Sequence, residues 1–403
     1  MDIHDLSNEF PITRQYNFLD NAAVAPISRR AAQAMHAYVD QAQESGPVDS
    51  EWYARADRVR QLAAQLLNAS TEEVTFIKNT SEGLSFVANG LPWHQGDNVV
   101  TAAGEFPANI YPWMNLAPRG VQLKMVPEHD GCIPLEQLIE AIDSRTRLVT
   151  ISAVQFASGF RTDLAALGHA CRQKGVLLCV DAIQALGVLP IDVQAMQIDF
   201  LSADGHKWLC GPEGAGIFYC RRELLGQLHP STPGWVCMVD AKDYGRYHFE
   251  FRPDARRFDS GSYNIAGILG LGGSLELLLE LGVDRIARHV LDLTDRLAAG
   301  LTGKGYRVIS DRSPTHASGI VAFASGRHDH SQIRQWLHHQ HRVIISCRRG
   351  RLRASPHVYN TPRQIDELIE LLPAHGCAAA CPQRTSASCI AAPTAIDRSQ
   401  TPT

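Results

Sequence analysis

Residues 201–219 read LSADGHKWLCGPEGAGIFY and set Lys207 directly after a strand-like apolar run and just before a turn of glycine and proline. A lone lysine at such an edge is ordinarily a solvated surface charge. Upstream, residues 176–187, VLLCVDAIQALG, end a second strongly apolar run with Asp181. An acid buried at the end of such a strand requires a cationic or protonated partner. A lysine amine condenses with an aldehyde, and a carboxylate holds a ring nitrogen protonated, so the pair suits carbanion chemistry on an aromatic aldehyde cofactor.

Working outward, short β-rich runs alternate with helical ones: VTFI then SEGLSFVANGL, NVVTA then NIYPWMNLA, LVTISAV then DLAALGHACRQKG, VLLCVDA, and DFLSADGHKW. Continuous apolar strands separated by helices predict an α/β fold with a mostly parallel sheet covered on both faces. Chemistry in such sheets sits at the carboxyl ends of the strands. Before this region, residues 28–67 space their apolar residues by three and four, which predicts two amphipathic helices. After it, GLGGSLELLLELGVDRIARHVLDLTDRLAAGL reads as one long linking helix, followed by a smaller α+β unit with strands in YRVIS, GIVAFAS, RVIISC and RLRAS. The expected division is an N-terminal arm over 1–27, a large cofactor-binding domain over 28–265, the linking helix and small domain over 266–375, and a disordered tail over 376–403.

The chain has 403 residues, 45% hydrophobic and 20% charged, with 38 Lys+Arg against 42 Asp+Glu and a net charge of −4. Scattered charge of both signs argues against a nucleic-acid partner and points to a small molecule. No apolar run approaches the roughly 20 residues needed to cross a bilayer, so no membrane partner is expected. The N-terminus does not read as a secretory signal, and ten dispersed cysteines read as reduced thiols, so a cytoplasmic location is expected. GPEGAG at 211–216 lacks the features of a phosphate loop and reads as a turn. His328–His330 and His338–His341 read as solvated histidines, and no metal site is expected.

Seven motifs then follow in order: FLDNAA (18–23), NTSEG (79–83), EFPANIYPW (105–113), VDAIQALG (180–187), DGHKW (204–208), GSYN (261–264) and RLRASPHVYNT (351–361). Over about Tyr16 to Pro373 the chain resembles the class-V aminotransferase superfamily of fold-type I pyridoxal-phosphate enzymes, which includes cysteine desulfurases, selenocysteine lyases, isopenicillin N epimerases and kynureninases. The resemblance implies a seven-stranded-type sheet in the large domain, pyridoxal 5′-phosphate as cofactor and an amino acid as substrate. By it, Lys207 is the lysine of the internal aldimine and the base at the substrate's α-carbon. Asp181 is the partner of the pyridine nitrogen and Gln184 the donor to the ring hydroxyl. Thr80, Ser81 and His206 hold the phosphate, and Arg353 clamps the substrate carboxylate. Ser262 implies a homodimer, because its counterpart reaches the neighbouring subunit's phosphate.

Three departures qualify the resemblance. Phe106 stands where desulfurases stack a histidine on the ring, and a phenyl ring cannot donate a proton. Asp204 replaces a hydroxyl residue near the phosphate and is expected to turn away or take another donor. The chain offers Gln155 and Phe156 where relatives carry an asparagine. Cys347 lies six residues before Arg353 at the end of an apolar run and reads as a buried strand cysteine rather than the loop nucleophile of desulfurases. The reading therefore leans to a desulfurase- or selenocysteine-lyase-like C–S lyase without that cysteine. The alternative is an aminotransferase or an epimerase on the same scaffold.

Overall fold

The computed structural model describes residues 6–374, so the expected tail over 376–403 lies outside the described residues. Strand β1 (Asn17–Phe18) and helices α1 (Arg29–Glu44) and α2 (Trp52–Leu67) lead into β2 (Val74–Ile77), α3 (Thr80–Gly90), β3 (Asn98–Ala102), α4 (Tyr111–Met114) and β4 (Gln122–Val126). Next come α5 (Leu135–Glu140), β5 (Thr146–Ser152), α6 (Leu164–Lys174), β6 (Leu177–Asp181), β7 (Phe200–Asp204) and β8 (Gly216–Cys220). The remainder carries α7 (Ile265–Leu281), α8 (Val283–Gly303), β9 (Arg307–Val308), β10 (Val321–Ala324), α9 (His330–His341), β11 (Val343–Ile344), β12 (Ser346–Arg348), β13 (Arg351–Ala354) and α10 (Pro362–Leu371).

Seven strands form the central sheet in the order β2-β8-β7-β6-β5-β3-β4, with β8 alone running against the others. Alternate residues feed two cores. Val149, Leu178 and Leu201 pack with α2, α6 and α7 on one face, while Leu148, Cys179 and Phe200 pack with α3 on the other. Burial on both faces is why these strands read as unbroken apolar runs. The crossovers leave the carboxyl ends of β3, β5, β6 and β7 at one edge, and Ala102, Ser152, Asp181 and Asp204 end there.

A second, antiparallel sheet has the order β12-β13-β10-β9 and packs against α8, α9 and α10 through Leu293, Leu297, Phe323, Leu337, Leu352 and Leu368. The N-terminal segment joins this unit rather than the large sheet. Strand β1 pairs in parallel with β11, Ser355 N donates to the carbonyl of Leu19 at 2.7 Å, and Leu19 is buried in the same core.

The structure corrects the helical reading of two segments. The single linking helix is two helices, bent by 80° at Gly282, whose φ of +81° a side chain rarely adopts. The segment NIYPWMNLA holds only the single turn of α4. Helix α7 is apolar all round because it is buried; among the described residues no single helix is long and apolar enough to cross a membrane. Its GLGGS stretch lets α1 approach closely, since a Cβ on Gly273 would lie 2.8 Å from the backbone carbonyl of Arg30. Gly273→Leu is therefore expected to destabilise the fold by about 1–3 kcal/mol, the usual cost of overpacking, read as a lower denaturant midpoint.

Candidate active site

At the carboxyl edge of the large sheet a cavity of about 300 Å³ is lined by Thr80, Ser81, Phe106, Asp181, Gln184, Asp204, His206, Lys207 and Arg353, among others. Every site residue expected from the sequence is therefore brought together except Ser262. Ser262 lies in a separate groove beside Lys78, Glu82 and Thr232. The loop that begins at Pro233 also lines a different cavity, with Trp235, Tyr244 and Tyr247 around it.

Local chemistry places each group. Helix α3 begins at Thr80, with Asn79 Oδ1 accepting from Glu82 N at 3.0 Å as its cap, so free N–H groups of the first turn face the cavity beside two hydroxyls. The helix start is pinned to β7: Asp204 N donates to Thr80 Oγ1 at 3.1 Å, and Ser202 Oγ donates to the Thr80 carbonyl at 2.9 Å. The glycine of NTSEG makes room for that contact, because a Cβ on Gly83 would lie 2.4 Å from Ser202 Oγ. This corner is a ready anion site.

Asp181, only 2% exposed, ends β6 and accepts from Ile183 N at 3.0 Å. Burial pushes its carboxyl well above the usual range; the nearby Glu105 charge adds to the rise, while the Ile183 N–H and Lys207 oppose it. Lys207, 9% exposed, follows β7, and its Nζ lies 5.6 Å from the centroid of the Phe106 ring. Burial pulls its ammonium down to about 8, assisted by Arg353 and Arg348 and opposed by Asp181 and Asp204. Gln184 donates from Nε2 to the Ala22 carbonyl at 2.9 Å and accepts from Trp208 Nε1 at 2.9 Å, which fixes its amide and leaves its second N–H for a ligand.

Asp204 does not turn away. It stays on the cavity wall, accepts from Gly205 N at 2.7 Å, and sets Oδ2 2.9 Å from His206 Nδ1, in a direction that leaves this nitrogen without a formal hydrogen bond. Phe106 is 44% exposed and meets Phe156 edge-on at 5.2 Å. Arg353 is buried and held from behind by Asp20 Oδ1 at 3.1 Å, Ser346 Oγ at 3.1 Å and the Phe156 carbonyl at 2.8 Å. Three of its five N–H groups are thereby used and two remain. Cys347 is a strand residue of β12, but it is half-buried, a correction to the buried reading. It lines a second cavity with Arg334 and His338 and is not among the residues lining the one that holds Lys207.

A buried acid, a lysine of lowered proton affinity, the hydroxyls at the start of α3 and an anchored arginine, all on one cavity, match the needs of pyridoxal 5′-phosphate and an amino acid. A family model described as Aminotransferase class-V matches residues 17–368. The chain belongs to the class-V aminotransferases. A probable cysteine desulfurase of Methanothermobacter thermautotrophicus is 32% identical over 395 residues, covering 92% of this chain and 98% of that one. Among solved structures, the apo cysteine desulfurase of Thermococcus onnurineus is similar with a TM-score of 0.83 at 25% identity, covering 91% of this chain and 96% of that one. C-DES, in a form with glycine covalently linked to its PLP cofactor, shares the fold with a TM-score of 0.84 at 23% identity, covering 90% and 98%. The same protein, described as a cystine C-S lyase in complex with cysteine persulfide, gives 0.82 at 24% identity over the same shares. The residues on the cavity wall fit pyridoxal 5′-phosphate, the cofactor of this class-V family: neither Lys207 Nζ nor Asp181 Oδ2 is spent on a hydrogen bond among the described residues.

Sequence reasoning missed Glu105, whose neighbour Phe106 drew the attention. It is a fully buried carboxylate at the same sheet edge, with four donors on its two oxygens. The only local signal was an acid three residues past an apolar strand. The lysine environment gives a direct test. Below pH 8 the Lys207 amine is largely protonated and unreactive; above it the amine is free. Competitive acylation of apo-protein is expected to label Lys207 with a midpoint near 8, about two units below an ordinary lysine, and Asp181→Asn, by removing a favourable carboxylate, to lower that midpoint further.

Proposed function

We propose that the protein is a homodimeric lyase that cleaves the Cβ–S bond of a cysteine-like amino acid, or its selenium analogue, and does so without a persulfide-forming loop cysteine. The observation that carries this reading is the meeting of Lys207, Asp181 and Arg353 on one small cavity, although Arg353 comes from the second sheet. In this reading Thr80, Ser81, His206 and the start of α3 hold the phosphate, Asp181 pairs with the ring nitrogen, Gln184 donates to the ring hydroxyl, and Phe106 covers one ring face. Bound there, the cofactor supplies an electron sink for a carbanion at the substrate's Cα. Lys207 would supply the amine that holds the cofactor's aldehyde end and the base that takes the substrate's Cα proton. Its lowered proton affinity brings the free base within reach at mildly alkaline pH, where an ordinary lysine is still protonated. The two remaining N–H groups of Arg353 grip the α-carboxylate as a fork and fix which Cα bond is broken.

The lean to a C–S lyase draws on the names of the relatives. Its independence from Cys347 is supported by the place of that thiol on the neighbouring cavity. Phe106 favours a second reading, transamination or epimerisation, because its ring brings no proton donor to the substrate side. We assign Ser262 to the partner's phosphate site and the protein to the cytoplasm, where the seven free thiols among the described cysteines stay reduced.

Incubation with cysteine, selenocysteine and S-conjugates tests the reaction. Pyruvate with sulfide, selenide or thiol is expected, whereas an acceptor-dependent keto acid or loss of optical activity establishes the second reading. Cys347→Ser is expected to keep the wild-type turnover number; loss of turnover contradicts the role assigned to the lysine alone. Arg353→Lys, which forfeits the fork, is expected to lower kcat/KM by about thirtyfold, the equivalent of about 2 kcal/mol for a charge-assisted contact.

A further inference from the structure

Glu105 is a buried acid at this edge of the molecule that the proposed chemistry does not use. Its Oε1 accepts from Ser152 N at 2.8 Å and from Gln155 Nε2 at 2.6 Å, and its Oε2 accepts from Asn109 Nδ2 at 2.9 Å and from Ser152 Oγ. Two of these donors cannot reverse: the backbone N–H of Ser152 and the amide N–H of Asn109. Asn109 is locked in its orientation because its Oδ1 accepts from Trp113 Nε1 at 3.0 Å and Thr150 Oγ1 at 2.6 Å. Gln155 presents its N–H to Glu105 while its own Oε1 stays buried without a partner. Four donors on two oxygens is the arrangement of an ionised carboxylate.

That charge has no cation against it. Glu105 makes no ion pair among the described residues, and every group it touches is neutral. Its nearest structural link is to Asp181: Ser152, which donates to Glu105 twice, is the register partner of Asp181 across β5 and β6, and Ala153 N donates to the Asp181 carbonyl at 2.8 Å. The other charges facing Asp181 line the cavity: Lys207, Arg348 and Arg353 are positive and Asp204 is negative. Glu105 is not among the residues that line the cavity, and it is joined to the residue that pairs with Asp181.

We propose that Glu105 is a positioning residue for the cofactor's ring nitrogen, an uncompensated negative charge next to the strand pair of Asp181 that raises the affinity of the Asp181–nitrogen pair for the proton they share. A fixed like charge in a buried site raises the proton affinity of its neighbour, and the direction found for Asp181 agrees. Burial raises the proton affinity of Glu105, and the four donors oppose that rise and favour the ionised form. The proposal rests on the cofactor orientation given above.

The experiment is nitrogen NMR of holoenzyme carrying pyridoxal phosphate labelled with 15N in the ring, followed against pH. In Glu105→Gln the ring nitrogen is expected to lose its proton at a pH lower by about one unit or more than in the wild type. The new amide would face Asn109 Nδ2, so Glu105→Gln with Asn109→Ser serves as a second neutral variant free of that clash, with the same shift expected. Glu105→Gln with Asn109→Asp returns one negative charge to the network and is expected to restore the wild-type midpoint. Melting temperatures are recorded in parallel: a purely structural role lowers them without moving the nitrogen signal. Neutral variants whose ring nitrogen titrates with the wild type, or stays protonated wherever the wild type does, overturn the proposal. Asp181→Asn separates the two levels: if it leaves the nitrogen signal unchanged, the cofactor orientation fails, whatever Glu105 does.

Discussion

The buried guanidinium of Arg353 is the point on which the site depends. A charge taken out of water at that depth is tolerated only with partners that replace its hydration, and Arg353 draws them from three distant parts of the chain. Asp20 comes from the N-terminal segment, Ser346 from the small sheet and the Phe156 carbonyl from the loop after β5 of the large sheet. Burial pushes Asp20 above the usual carboxylate range and Arg353 opposes it, so each charge makes the other bearable. The consequence is structural as well as chemical. The same bonds that hold the arginine close the second sheet over the carboxyl edge of the first, and the cavity is the space between them.

Asp181, Lys207, Arg348 and Arg353 share the wall of that space with the hydroxyl residues Thr80 and Ser81 of α3, while Glu105 lies outside the lining, bonded to Ser152. Burial alone makes both an acid and an amine less willing to carry charge, and it is the leading cause for Asp181 and Lys207 alike.

Much of this was legible in the sequence because it is local. Lys207 and Asp181 announce themselves by standing at the ends of apolar strands, and α1 and α2 by their spacing. What was not legible is set by distant partners or by a single backbone angle. Strand β4, QLKMV, is an edge strand whose apolar run is broken by Gln122 and Lys124, and β8 starts inside a glycine-rich turn, so neither stands out by apolar run alone. The helical period continues across Gly282, and only its positive φ breaks the helix there. The burial of Glu105 depends on donors from β5 and from the turn before α4. Asp20 meets Arg353 across 333 positions of chain.

The central claim is that the Lys207 cavity is where pyridoxal phosphate is held, and reductive trapping tests it most directly. Holoenzyme is treated with borohydride, digested and mapped by mass spectrometry. The account predicts a phosphopyridoxyl group on the peptide that contains Lys207, and its loss in Lys207→Ala. A label carried by any other lysine, with the Lys207 peptide unmodified, contradicts it.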